Sequence, residues 1–232
     1  KLMGKESVDW EPLITVGSPA HEIARLAREK GADLTIAASH GRSGLKRLLL
    51  GSATERLMRT LPCPLMVVRA PERGLETPSS EEIRFKRILV GCDFSSVSGL
   101  AFEYGLSLAQ EFQSDLYLAH VIEPPLYHDL IKSRPRLLEE EQQDLRNQLK
   151  EKLAKMVPEE ARSWCTPITV LLAGQAHEEL TKYTVVQDID LIVLGVRGQN
   201  LVETLFVGST TDRVIRNATR PVLSVMPTLR RD

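Results

Sequence analysis

Asp93, Gly195, Arg197, Gly198 and the run Gly208-Ser209-Thr210-Thr211 are the residues whose types and spacing suit shared chemistry, and that chemistry is the holding of an anion. Glycines let backbone approach a ligand without Cβ interference. Free N–H groups at a helix start, aided by the helix dipole, favour phosphate. Ser209 and Thr210 add hydroxyl donors, and nine residues separate Gly198 from Gly208. Each residue also has a plainer reading. Ser209 after a glycine suits an N-cap, Asp93 suits a cap for a helix starting near Ser95, and Arg197 suits a solvated loop charge. Their positions argue for the joint reading, because Asp93, Gly195, Gly198 and Gly208 converge on one edge of the sheet that the surrounding elements imply.

Those elements alternate. ILVGCD, residues 88–93, is a short β-branched run suited to a buried parallel strand, and Ser95 to Phe112 reads as a helix with serine at its start. Leu116 to Val121 is a second strand. Pro135 to Met156 carries Leu138, Leu145, Leu149, Leu153 and Met156 along one helical face, a stripe read as sheet-packing surface. Residues 168–173, 177–186, 191–195, 209–217 and 222–226 continue the series as strand, helix, strand, helix and strand. Such alternation builds an α/β fold, an open parallel sheet with helices on both faces, whose ligands bind beyond the carboxyl ends of the strands.

The chain also repeats itself. Gly17 matches Gly174, Gly41 matches Gly198, Gly51 matches Gly208, Arg56 matches Arg213 and Pro64 matches Pro221, each pair 157 positions apart. An ungapped register of that length marks two copies of one unit. The copies divide the chain into a partial unit over residues 1–70, a linker over 71–86 rich in Pro, Gly, Ser and Glu, and a complete unit over 87–232. The first copy departs from the second. Ala38 stands where the second has Gly195, His40 stands at the place of Arg197, and no counterpart of the Asp93 strand is present, so a nucleotide is not expected there. What the first copy supplies corresponds to strands three, four and five. The expectation is therefore a gap in its sheet, filled by an upstream strand-helix-strand segment or by strands swapped from another chain.

Composition removes several classes. Thirty basic and thirty-one acidic residues give a formal charge of −1, so no general attraction to nucleic acid or anionic lipid is built in. Cys63, Cys92 and Cys165 lie far apart with no metal-ligand spacing, which fits a reducing cytoplasm better than a zinc site or disulfide framework. No apolar run approaches the roughly 20 residues that span a bilayer, and Lys-Leu-Met-Gly-Lys has no apolar signal core.

The motif Gly195-x-x-Gly198-x9-Gly208-Ser209, joined to the strand end ILVGCDFSS and to the strand LAHV ending in Val121, resembles the ATP-binding class of the universal stress proteins. The resemblance covers the second unit in full and the later half of the first. It implies a five-stranded parallel sheet of order 3-2-1-4-5. It places adenosine beside Asp93 and Val121 and the phosphates along Gly198, Gly208, Ser209 and Thr210, with Cys92, Gly195, Arg197 and Thr211 completing the expected nucleotide-binding set. The cofactor implied is ATP, or ADP or AMP, with Mg²⁺ entering alongside the nucleotide, and the partner implied is a homodimer or tandem pseudo-dimer through the last strands.

Three functions compete on this reading: a nucleotide-responsive regulatory module, a slow ATP hydrolase, and a structural stress protein. A dedicated NTPase is disfavoured by the lack of a G-x-x-x-x-G-K-(S/T) loop. Glu203 is the carboxylate inside the nine-residue loop, and a solvated place suits it better than Mg²⁺ ligation. No G-x-S-x-G or H-E-x-x-H occurs to support other hydrolytic chemistry.

Overall fold

The computed structural model describes residues 10–39, 50–69, 84–123, 135–196 and 207–227. The first copy of the repeat forms α1 (Pro19–Lys30), β1 (Thr35–Ala38), α2 (Ser52–Thr60) and β2 (Leu65–Val68). The second forms β3 (Arg87–Gly91), α3 (Ser96–Phe112), β4 (Asp115–Ile122), α4 (Pro135–Met156), β5 (Thr166–Ala173), α5 (Ala176–Val186), β6 (Leu191–Gly195), α6 (Ser209–Asn217) and β7 (Val222–Val225). A short 3-10 turn at Glu159–Ser163 precedes β5.

One seven-stranded sheet runs in the order β1-β2-β7-β6-β3-β4-β5. The five strands of the second unit are parallel and take the expected 3-2-1-4-5 order, with β3 at the centre. Central placement follows from β3's residues: Ile88, Leu89 and Val90 are all fully buried, so both faces need cover. Ile88 and Val90 pack with α3 and α4 on one face, while Leu89 joins Leu180, Ile192 and Val214 on the other. Asp190 starts the central strand in register, its carboxylate accepting from the amides of Lys86 at 2.7 Å and Arg87 at 3.0 Å.

The 157-residue register of the sequence reappears in hydrogen bonds. Gly51 N–H donates to Ser39 O at 2.9 Å, and Gly208 N–H donates to Val196 O at 2.7 Å. Thr54 Oγ1 donates to Ala38 O, and Thr211 Oγ1 donates to Gly195 O. Gly17 and Gly174 take φ of +150° and +142° ahead of α1 and α5, values that L side chains rarely adopt, which explains glycine at both.

The two copies meet through β2 and β7, which pair antiparallel as Leu65↔Ser224, Met66↔Leu223 and Val67↔Val222. Met66 and Leu223 are repeat equivalents, so a local twofold axis passes between them and the contact is isologous. Ser224 Oγ donates to Leu65 O at 3.0 Å in a buried position. Leu57, Met58 and Leu65 of the first copy share a continuous apolar core with Leu89, Ile192 and Val222 of the second.

Two expectations are corrected. The counterpart of strand three in the first copy forms no strand: residues 10–16 lie outside the sheet, with Ile14 and Val16 94% and 97% exposed. In the second copy the equivalent β5 is held by β4, from Asp115↔Thr166 to Ile122↔Ala173, and no described strand offers that pairing beside residues 10–16. Among the described residues of α4 the stripe is buried towards the helix end and not along its whole length. Leu153 is fully buried and Met156 partly so, whereas Leu145 is exposed. Leu138, the linker 71–83 and the loop holding Arg197, Gly198 and Glu203 lie outside the residues whose side chains are described, as does His40.

Candidate functional site

A cavity of about 720 Å³ opens beyond the carboxyl ends of β3, β4 and β6, within the size range of small-molecule clefts. It brings together Cys92, Asp93, Val121, Gly195 and Gly208 through Thr211, all the described residues expected at the site.

At one end, β3 delivers Asp93 into a turn set by Phe94, whose φ of +63° is unusual for a bulky residue. Phe94 packs on His120 at 4.6 Å between ring centroids, and Lys152 Nζ lies 4.1 Å from the Phe94 ring centroid. Asp93 Oδ1 accepts from Ser95 N at 3.0 Å, and Ser95 is the N-cap of α3, its Oγ accepting from Ser98 N at 3.1 Å. Asp93 is therefore not the helix cap; it closes the turn before the cap and lines the cavity.

His120, which sequence reasoning passed over, lines the cavity with its Nδ1 2.8 Å from Cys92 O. A carbonyl only accepts, so Nδ1 carries the proton in this contact. Its signal in the sequence was the histidine of LAHV. Cys92 has its thiol turned towards Ser98 Oγ and Met156 Sδ, in the core on the α3 and α4 face. Burial pushes that thiol up from the ordinary cysteine range, with hydrogen bonds from Phe94 and Ser98 opposing.

At the other end stands the start of α6. Gly208 is its N-cap, with φ −59° and ψ 139°, and no side chain caps the helix. Ser209 is thus the first helical residue rather than the cap. By helix geometry the N–H groups of Ser209, Thr210 and Thr211 have no partner within the helix. Thr211 differs from its two neighbours: it is 4% exposed and its hydroxyl donates to Gly195 O at 2.6 Å, tying α6 to the end of β6. Gly195 has a packing reason for lacking a side chain, since a Cβ there would lie 3.0 Å from Val97 Cγ1 on α3.

The cavity also has a wall that the motif does not reveal. Glu55 and Arg59 of α2, in the first copy, line it beside Asp212 and Arg216 of α6. Arg216 is clamped by Asp212 at 2.8 and 3.0 Å and lies 3.6 Å from Glu55, and Arg59 donates to Glu55 at 3.1 Å. The Asp212 hydrogen bonds chiefly raise the Arg216 pKa. Glu55 with Arg59 and Asp212 with Arg216 are repeat equivalents, so the local twofold axis is what brings the pairs together.

A parallel sheet with a glycine-capped helix start at its carboxyl edge is the architecture of an open α/β domain, and the cavity lies where such sheets bind ligands. The universal stress protein family model matches residues 3–69 and 84–225, and the chain belongs to that family. It is 31% identical over 147 residues to the universal stress protein MJ0531 of Methanocaldococcus jannaschii, covering 61% of this chain and 82% of that one. It is 25% identical over 230 residues to the universal stress protein Rv2005c of Mycobacterium tuberculosis, covering 95% and 72%. The solved structure of the M. jannaschii protein MJ0577 matches with a TM-score of 0.54 and 25% identity, over 65% of this chain and 99% of that one. A universal stress protein from Archaeoglobus fulgidus shares the fold, with a TM-score of 0.62 at 23% identity over 90% and 67%. Among the described residues no helix is long and apolar enough to cross a membrane.

Proposed function

We propose that the second unit binds an adenine nucleotide, ATP foremost, and that occupancy adjusts how the protein meets a regulatory partner in the cytoplasm. The observation that carries this reading is the single cavity joining the Asp93 carboxylate to the α6 start, which no side chain caps. A carboxylate suits the hydroxyl and amino donors of adenosine, and uncapped helix N–H groups suit phosphate. The motif adds Arg197 and Gly198 to the proposed nucleotide-binding set, and Mg²⁺ would arrive with the phosphates. The β2–β7 pairing supports a tandem pseudo-dimer in which the last strands of the two copies form the joint. Hydrolysis, if present, falls below the roughly 1 per second of ordinary enzymes, because the sequence has no G-x-x-x-x-G-K-(S/T) loop with its phosphate lysine.

Thermal melting with ATP tests the reading. Ligand at about a hundred times its Kd contributes roughly 2.7 kcal/mol, an upward shift in midpoint that Gly208→Val should remove. No shift at millimolar ATP with the wild-type protein would leave the structural reading in its place.

A further inference from the structure

We infer that Arg59, on α2 of the first copy, reads the terminal phosphates of the nucleotide held by the second copy, making the site selective for a long phosphate tail. The inference rests on the nucleotide reading above and deepens it. The relevant geometry is the four-charge cluster around the twofold axis, whose two arginines are held very differently.

Arg216 is fixed. It donates from Nε and Nη2 to both oxygens of Asp212 and also faces Glu55, and its side chain is 25% exposed. Arg59 is 41% exposed and donates to Glu55 through Nη2 alone at 3.1 Å, a contact that takes one of the guanidinium's five donors. That pair joins residues one turn apart on a solvated helix face, the weakest setting for an ion pair. Glu55 is itself shared with Arg216, which loosens its claim on Arg59 further. An arriving phosphate offers more negative charge and a fork-shaped match to guanidinium, so Arg59 can exchange Glu55 for it at little cost.

Position makes the exchange feasible. Arg59 lines the same cavity as Ser209 and Thr210 at the α6 start, although it comes from the other copy. Phosphates beginning at that helix start and extending towards the twofold axis run along the wall that Arg59 occupies, whereas a monophosphate ends at the helix. Such a contact also gives the first copy a role: it binds no nucleotide in this scheme but senses the length of the neighbour's phosphate chain, linking occupancy to the β2–β7 joint.

The test compares ATP and AMP by calorimetry on the full chain, for wild type, Arg59→Ala and Glu55→Gln. The inference expects Arg59→Ala to weaken ATP roughly tenfold while leaving AMP within about twofold, the size of one lost charged hydrogen-bond contact. Glu55→Gln should hold or raise the ATP preference, because it frees Arg59. An unchanged ratio of ATP to AMP affinity in Arg59→Ala overturns the inference while leaving nucleotide binding intact. An equal loss of preference in Glu55→Gln also overturns it, since the pair would then matter as structure. Absence of both ATP and AMP binding in the wild type overturns the nucleotide reading, and this inference with it.

Discussion

Gly195, the last residue of β6, lies against Val97 of α3 so closely that a Cβ at 195 would stand 3.1 Å from the Val97 carbonyl oxygen. Backbone cannot yield as a flexible side-chain tip would. The repeat equivalent, Ala38, ends β1 in an exposed position, and no described helix crosses it as α3 crosses β6. Glycine at one copy and alanine at the other therefore follow from what packs above each strand end. Gly195→Ala should cost about 1–3 kcal/mol in denaturant unfolding, the ordinary cost of overpacking. Ala38→Gly should cost no more than about 1 kcal/mol, from backbone entropy alone. A Gly195→Ala protein within about 0.5 kcal/mol of wild type would show that α3 moves aside freely, and the packing account would be wrong.

The same pair shows how far the sequence could be read. The motif drew attention to Gly195 as a place where backbone nears a ligand, and the residue does line the cavity. Its tight neighbour, however, is Val97 of α3 rather than a ligand, and no spacing rule announces a helix passing overhead. Elements with strong signals were legible to within a residue or two: β6 and α6 sit at 191–195 and 209–217 as expected, because β-branched runs and a glycine-led amphipathic start mark them. The wall formed by Glu55 and Arg59 was not legible from the motif, since it depends on the twofold joining of β2 to β7. The positive φ of Phe94 was hidden as well, because bulky residues give no hint of a left-handed turn.

Cys92 supplies a pH-dependent term. Burial raises its thiol pKa in the folded protein, so the folded state holds that proton to higher pH than the unfolded chain does. Its contribution to stability is complete below the ordinary thiol pKa of about 8.5 and is lost as pH climbs from there through the raised folded value. Unfolding free energies of wild type and Cys92→Ala, measured from pH 7 to beyond 10, should therefore converge as pH rises. Alanine also leaves a cavity beside Met156, which lowers stability equally at every pH and does not produce convergence. A gap between the two proteins that stays constant across the alkaline range would remove the thiol from the account.

The joint at Met66 and Leu223 carries the largest structural consequence. Antiparallel pairing of β2 with β7 fills the outer edge of β7, and the apolar core runs through the joint from Leu57 and Met58 to Val214 and Ile215. The association of the copies should thus survive loss of the covalent link between them. A specific protease site inserted between residues 70 and 83 tests this: after cleavage, the two pieces should elute together in size-exclusion chromatography at micromolar concentration. Met66→Asp places a carboxylate on the twofold axis opposite Leu223, at a half-buried position in the joint. An unpaired charge partly desolvated there costs about 1–3 kcal/mol, so the cleaved variant should associate more weakly than cleaved wild type while the uncleaved variant melts lower but as one unit. Ser224→Ala is the milder probe. It leaves Leu65 O without its hydroxyl donor and should cost about 1 kcal/mol without separating the pieces. Wild-type pieces that separate on cleavage would mean that the strand pairing is held only by the tether, and the cross-copy wall of the cavity, Glu55 and Arg59 included, would lose its structural basis.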